Sequence, residues 1–396
     1  MNGLQVRDGI YWVGSLDKYL KVFDIIMHTE FGTTYNAYVV KGSDKNVLME
    51  TSKENFFGEF FERLQSVIDP GDIDYIVMNH TEPDHSGSLK LLLPHCPKAV
   101  VVSTATGLRF LKEIVNGEFL SRQVGEGDTI DIGGRTLRFL SVPLLHWPDS
   151  MFTYIPEDKT LFSCDSFGCH YCDEKVFNDL IEGDFTDAYR YYFVNIMGPF
   201  RKNMMDALDK IKDLPIETIC NGHGPVIRKN PQKYIEMYKS WAASEPKHGK
   251  TAVIAYVSAY GYTKNMALSI AEGLKTAGGV EVSMYDLVYD DADAAMRAID
   301  EADGVLLGSP TLVGDVLPPI LNILIHLNPY IHKGKMMGAF GSYGWSGEAV
   351  PNLEERIREL RLPIPVPGLR IRFCPSDEQL KECVDFGKKF AEALVK

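Results

Sequence analysis

The segment His80-Thr81-Glu82-Pro83-Asp84-His85 places four imidazole or carboxylate side chains within six residues, directly after the apolar stretch Tyr75-Ile76-Val77-Met78. An apolar run of that length reads as a short buried strand, which puts the four groups in the loop at its carboxyl end. The loop is too polar for a core and too short for a solvated charge run. Imidazole and carboxylate donors at alternating positions exclude a soft thiolate site and favour Zn, Mn or Fe. The remaining ligands of such a centre are expected at the ends of other strands.

Three isolated residues meet that condition. His146 stands in Leu144-Leu145-His146-Trp147-Pro148-Asp149, after an expected strand at 137–142, and Asp165 follows the run Thr160 to Cys164. His223 lies in Asn221-Gly222-His223-Gly224-Pro225, where two glycines let the backbone turn tightly against a ligand. Any one alone is more often a core or loop residue. Together, in a chain that carries the first run, they read as ligands.

With 396 residues the chain exceeds one ordinary core, and two domains of about 150 to 250 residues are expected. Near residue 245 the texture changes, and the polar stretch 244–250, with its Pro and Gly, reads as a joint between a domain at 1–246 and one at 251–396. Beyond it, strands at 252–257, 280–287, 304–308, 336–340 and 369–373 alternate with helices at 263–277, 292–302, 317–327, 348–360 and 378–395. That order is the signature of a doubly wound α/β domain with a parallel sheet. Before it, strands at 10–13, 34–40, 47–50, 75–78, 99–103, 137–142, 151–155, 160–163 and 218–220, with a helix at 56–68, suggest two packed sheets with helices outside.

The formal charge of −13 argues against a nucleic-acid or anionic-lipid surface, which needs clustered Lys and Arg. No leader of basic then apolar residues is visible, and no apolar run approaches the roughly 20 residues of a membrane span. Seven scattered cysteines fit a reducing cytoplasm, where the chain is expected. Cys164, Cys169 and Cys172 have the C-x4-C-x2-C spacing of one ferredoxin type, but only Cys220 is moderately near as a fourth ligand, so they read as reduced thiols.

After the strand at 252–257, the turn from Ser258 to Asn265 leads into a helix. Free N–H groups and the helix dipole at such a start favour an anion, so this is a candidate phosphate site. It lacks the Lys-Ser/Thr ending of a nucleoside-triphosphate loop. Two more loops, Gly308 to Gly314 and Phe340 to Gly347, each follow a strand of the same sheet, and ligands of open sheets bind where such loops meet.

In order and spacing, His80-x-Glu82-x-Asp84-His85 with His146, Asp165 and His223 resembles the ligand set of the metallo-β-lactamase superfamily. Hydrolases of that superfamily usually carry His at the position of Glu82. The acidic form resembles the flavodiiron proteins, which join this domain to a flavodoxin-like one, and the segments 145–154 and 191–200 are similar as well. The resemblance spans essentially the whole chain. It implies a metallo-β-lactamase-like αβ/βα sandwich followed by a flavodoxin-like doubly wound parallel sheet. It further implies that His80, Glu82 and His146 hold one iron and Asp84, His85 and His223 the other, with Asp165 bridging. A carboxylate at Glu82 adds charge and a hard donor, which suits a ferric–ferrous centre and gives zinc no redox advantage. His170 is open between orienting a ligand and simple packing, and a preference between O2 and NO is expected to lie in groups such as His170 or Tyr192.

The three loops look like the ring-binding loops of flavodiiron domains and imply FMN rather than FAD, although the first departs from the Thr-Gly-Asn-Thr form of flavodoxins. Ser258, Tyr260 and Thr263 would lie on the phosphate side, with Pro310, Thr311, Gly314, Ser342, Tyr343, Gly344 and Trp345 around the ring. The implied activity is reduction of O2 to water, of NO to N2O, or both, at a non-haem diiron site fed through FMN. The chain carries no C-x2-C pair of a fused rubredoxin, so the implied donor is a separate rubredoxin or a reduced deazaflavin. A head-to-tail homodimer or homotetramer is implied too. The alternatives are a zinc-dependent metallo-hydrolase with an accessory flavodoxin-like domain, for which Glu82 is incidental, and a non-enzymatic electron carrier that consumes no gas.

Overall fold

Side chains two apart on a strand share a face, and the short apolar strands of the first half use both faces. Tyr38, Val40, Val47, Met49, Val77 and Val102 enter one buried cluster, while Val39, Leu48, Ile76 and Val101 enter another. They belong to a seven-stranded sheet ordered Leu4–Arg7, Ile10–Trp12, Tyr38–Lys41, Asn46–Met49, Tyr75–Val77, Val100–Ser103 and Ser121–Gln123. Its first three pairings are antiparallel and its last three parallel. A five-stranded sheet follows, ordered Thr129–Asp131, Thr136–Ser141, Met151–Ile155, Thr160–Cys164 and Thr218–Asn221, with only the last pairing parallel.

The first cluster also contains Phe139, Met151, Phe162 and Cys220 of the second sheet, so it is the core between sheets. Helices cover the outer faces. Phe60 and Leu64 of the helix Phe57–Val67 and Leu111 of Ala105–Val115 pack on the first sheet. Tyr189 of Thr186–Tyr192, Met204 and Leu208 of Arg201–Ile211, and Tyr238 of Pro231–Ala243 pack on the second. The layers are those of an αβ/βα sandwich.

One expected strand is broken. The stretch 34–40 divides into Thr33–Tyr35, paired with Ser15–Asp17, and Tyr38–Lys41 in the large sheet. At the break the Asn36 amide donates to the carbonyls of Asn221 (3.1 Å) and Gly224 (3.0 Å) and accepts from Trp12 Nε1 (2.8 Å). Those bonds tie the loop that carries His223 to the first sheet.

The computed structural model describes residues 2–24, 27–243 and 249–396, which cluster into units Met1–Ser244 and Glu245–Lys396. Most of the expected joint, 244–248, lies outside the described residues. In the second unit all five strands are parallel, in the order Val280–Asp286, Lys250–Tyr256, Gly304–Gly308, Met336–Tyr343 and Leu369–Arg372. Val253, Ala255 and Val257 face one helical layer; Ala252, Ile254 and Tyr256 face the other, with Tyr262–Thr276 and Asp377–Val395. The chain crosses from one side of Lys250–Tyr256 to the other, and that reversal opens the crevice where such sheets bind ligands. Among the described residues no helix is long and apolar enough to cross a membrane.

Candidate metal centre and flavin cradle

Four strands of the sandwich deliver the seven expected ligands at their carboxyl ends: Tyr75–Val77 leads to His80 through His85, Thr136–Ser141 to His146, Thr160–Cys164 to Asp165, and Thr218–Asn221 to His223. Within the first run, Pro83 opens a single helical turn, Pro83–Ser86, whose first carbonyl partner is Glu82 O, bonded to the N–H groups of His85 and Ser86 at 2.9 Å each. The turn divides the run between two groups of donors.

In one group Glu82 Oε2 lies 2.9 Å from His146 Nε2 and 3.2 Å from His80 Nε2. In the other, Asp84 Oδ2 lies 3.1 Å from His223 Nε2, and Asp84 Oδ1 lies 3.6 Å from His85 Nε2. Asp165 stands between them. Its Oδ2 is 3.0 Å from His146 Nε2 and 3.4 Å from His80 Nε2, while its Oδ1 is 2.9 Å from His85 Nε2 and 3.4 Å from His223 Nε2. One carboxylate thus presents one oxygen to each group. His146 is the most exposed of the seven side chains, at 16%, so the centre opens on its side.

The donor set fits two hard or borderline cations. Both Asp84 oxygens and His85 Nε2 are buried without a hydrogen bond of proper geometry among the described residues. Buried carboxylate and imidazole lone pairs left this way are costly unless something binds them. Without metal the carboxylates hold protons on the imidazoles. Burial alone would lower His80, but Asp149 and Glu82 push it up to about 10, and Asp165 and Glu82 raise His146 to about 9 against the same burial. Burial would raise Glu82 and Asp165; instead His146 and His80 hold Glu82, and His85 and His146 hold Asp165, far below the usual carboxylate range. Metals would displace those protons.

Other groups stand behind the seven. His223 Nδ1 donates to Thr34 O at 2.6 Å, which leaves Nε2 free as a ligand. Burial would raise Asp149, yet His80 and the Thr81 hydroxyl hold it below the usual range. Partial burial and the carboxylates of Glu82 and Asp84 push Asp24 up to about 7. His170 shares a hydrogen bond between Nδ1 and Thr33 Oγ1 at 2.9 Å, packs tilted against Phe23 at 4.3 Å, and lies 5.4 Å from the His223 ring. Its Nε2 is buried without a partner among the described residues, and Tyr192 sits against it at 4.9 Å. Both are therefore packed beside the second group. The thiols of Cys164, Cys169 and Cys220 are buried and that of Cys172 is half-buried, and all four are free.

Glu50 and Asp24 escaped the sequence reading. Glu50 satisfies the criterion that found His146, Asp165 and His223, an isolated acid closing the apolar strand Asn46–Met49. Counting it as the last strand residue hid it.

In the second unit, backbone bonds join the three loops expected to meet. Val257 N–H donates to Gly308 O at 3.0 Å, Ser309 N–H to Phe340 O at 3.1 Å and Thr311 N–H to Ser342 O at 2.9 Å. At Gly341 a Cβ would come 1.9 Å from Ser309 O, so only glycine permits this approach. Gly261, with φ +82°, opens the helix Tyr262–Thr276 without a side-chain cap, leaving first-turn N–H groups for an anion. Ser258 Oγ takes one of them, that of Lys264, at 3.2 Å.

The expected ring and phosphate residues divide. Tyr260 is 79% and Trp345 95% exposed, with Tyr343 and Thr311 half-buried and Gly314 at φ +73° with open space around it. Pro310 is buried, and a Cβ on Gly344 would meet the Phe373 ring at 2.9 Å. Thr263 and Ser342 are buried, and their hydroxyls bond each other at 2.8 Å, locking the first loop to the third. Large exposed aromatics beside a glycine-lined crevice fit a planar ring.

Comparison with known proteins agrees with both halves. Residues 33–224 match the model of the ODP family beta lactamase, and 254–387 that of flavodoxin. The chain is 41% identical to the type A flavoprotein fprA of Rhodobacter capsulatus, over 98% of this chain and 91% of that one. It is 39% identical to the flavo-diiron protein FprA2 of Clostridium acetobutylicum, over 100% of both. It is also 39% identical to a nitric oxide reductase of Moorella thermoacetica, over 98% of both. The solved rubredoxin oxygen:oxidoreductase of Desulfovibrio gigas superimposes with a TM-score of 0.78 at 29% identity, over 100% of this chain and 99% of that one.

Proposed function

The chain belongs to the flavodiiron family of type A flavoproteins, and from that premise we propose an FMN- and diiron-dependent oxidoreductase that reduces O2 to water, NO to N2O, or both. The observation that carries the proposal is Asp165, whose two oxygens face separate His pairs while Glu82 supplies an acid to one side. In this reading His80, Glu82 and His146 hold one iron, Asp84, His85 and His223 the other, and Asp165 bridges. When bound, two ferrous ions supply two electrons and reduced FMN two more, the four that O2 requires.

The chain's own residues set the conditions. Burial of six of the seven ligands keeps bulk water away, and the part-exposed His146 marks the way in for a small diatomic gas. Asn36 and Thr34 fix the loop and tautomer of His223. In the second domain, Ser258, Tyr260 and Gly261 shape the phosphate side, Pro310, Thr311, Gly314, Tyr343, Gly344 and Trp345 surround the ring, and Thr263 and Ser342 lock the loops. The domains run from 1 to 246 and from 251 to 396. A separate rubredoxin or a reduced deazaflavin supplies electrons to a cytoplasmic head-to-tail homodimer or homotetramer. Parallel anaerobic assays with O2 and NO, on one reducing system, test the activity. Consumption of at least one gas is expected; reduced protein that neither gas reoxidises would refute it.

A further inference from the structure

Each ligand histidine offers one ring nitrogen to the metal, and whatever holds its other nitrogen decides the tautomer and the ring's direction. For His223 that group is a backbone carbonyl, Thr34 O. Behind His80 stands a buried carboxylate instead, and behind His85 the buried Cys164 thiol with Glu50 beyond it. Asp149 Oδ2 lies 3.7 Å from His80 Nδ1, both side chains have no exposure, and neither His80 Nδ1 nor either Asp149 oxygen has a hydrogen-bond partner among the described residues. Besides His80, the Thr81 hydroxyl and Asp149's own N–H act on this carboxylate.

Behind His85, donor atoms of Glu50, His85 and Cys164 lie within 4.8 Å of one another, with Cys164 Sγ 3.8 Å from His85 Nδ1. Glu50 Oε1 accepts the Asn79 N–H at 2.9 Å, whereas Oε2 is buried without a partner. That bond anchors Glu50 to the residue directly before His80. Both histidines turn Nε2 to the shared carboxylate Asp165, His80 at 3.4 Å and His85 at 2.9 Å, so Nδ1 is the nitrogen left facing away.

We propose that Asp149 and Glu50 are positioning residues of the metal centre: Asp149 takes the Nδ1 proton of His80, while Glu50 holds the residue before His80 through Asn79 and stands beyond the thiol at His85 Nδ1. His80 then has its imidazole backed by a carboxylate, and His85 has the Glu50 charge behind its thiol neighbour. The backing fixes the tautomer that presents Nε2, makes the imidazole a better donor, and places negative charge where it favours the ferric state. The last consequence rests on the diiron reading; the positioning itself holds for any cation bound by these nitrogens.

Asp149→Asn and Glu50→Gln keep the shape and remove the charge. With far-ultraviolet circular dichroism and FMN content as folding controls, Co(II) titration of the metal-free protein should show binding about 10- to 100-fold weaker at one of the two sites in each variant. In the iron-loaded variants the ferric-to-ferrous ratio at fixed potential should fall about tenfold, equivalent to 59 mV for one electron. Asp149→Glu should restore part of the affinity. Wild-type Co(II) affinity and unchanged potentials in both charge-neutral variants would overturn the proposal, and a fold defect in one leaves the other to decide. A wild-type protein that binds two Co(II) but is isolated with zinc alone contradicts the diiron reading, while the Co(II) comparison still decides the positioning.

Discussion

Gly222→Ala is the sharpest steric probe of the centre. A Cβ at this position would stand 2.6 Å from His85 Cε1 and 3.0 Å from Asp165 Oδ1. Ordinary carbon–carbon contact is roughly 3.5–4.0 Å, so the His85 ring must retreat by about 1 Å. The backbone can absorb little of this, because Gly222 N–H donates to Cys164 O at 2.6 Å and Gly222 O accepts from Asn36 N–H at 2.8 Å. Metal–ligand distances tolerate only about 0.2 Å, and overpacking of this kind costs about 1–3 kcal/mol. If about 2 kcal/mol falls on the metal-bound state, affinity at the His85 side drops about 30-fold. Elemental analysis after dialysis against a weak chelator should therefore show the variant losing one metal while keeping FMN. Gly58→Ala, with nothing within 4 Å of the new methyl, is the control and should change neither. A Gly222→Ala protein that keeps both metals and full turnover would refute the geometry.

Asp165→Ala removes the one carboxylate that, among the described residues, faces both His pairs, and should lose both irons while the flavin absorption spectrum stays intact; retention of two irons would disprove the bridge. Gly341→Ala forces a methyl onto Ser309 O and should cut FMN content, read from the fluorescence of released flavin, below about a tenth of wild type, with the first domain still metal-loaded. Full flavin content there would contradict the joined loops. Lys335, whose Nζ donates to Ala302 O, is held down to about 8 by burial. The unfolded chain then binds more protons between about pH 8 and 10.4, so wild-type stability rises across that window. Lys335→Met should be more stable by about 1–2 kcal/mol at pH 7, allowing for partial exposure, with the gap closing by about pH 10.5 in urea midpoints. Parallel profiles for the two proteins would contradict the buried charge.

The side chains that gather at the candidate centre were legible because they follow apolar strands, and a strand's end is fixed by local pattern. The doubly wound sheet was legible for the same reason: its strands and helices are long enough for their periodicities to show, and Gly304–Gly308 was found to the residue. Elements of two or three residues, such as Val22–Phe23 and Met27–His28, carry no period at all. The helix Ala105–Val115 went unread because Gly107 and the Thr104 cap that bonds it look like a loop. Partners far apart in sequence were invisible. Asn36 reaches Asn221 across 185 residues, and Asp149 stands behind a histidine 69 residues earlier, so neither spacing carries a signal. Hydroxyls in the flavin loops misled in another way: Thr263 has the right type in the right loop, yet spends its hydroxyl on Ser342.

The central claim is that this metal centre performs iron redox chemistry. Elemental analysis of protein purified under anaerobic conditions tests it most directly. Two irons and one FMN per chain are expected, and stoichiometric zinc without iron would overturn the redox assignment.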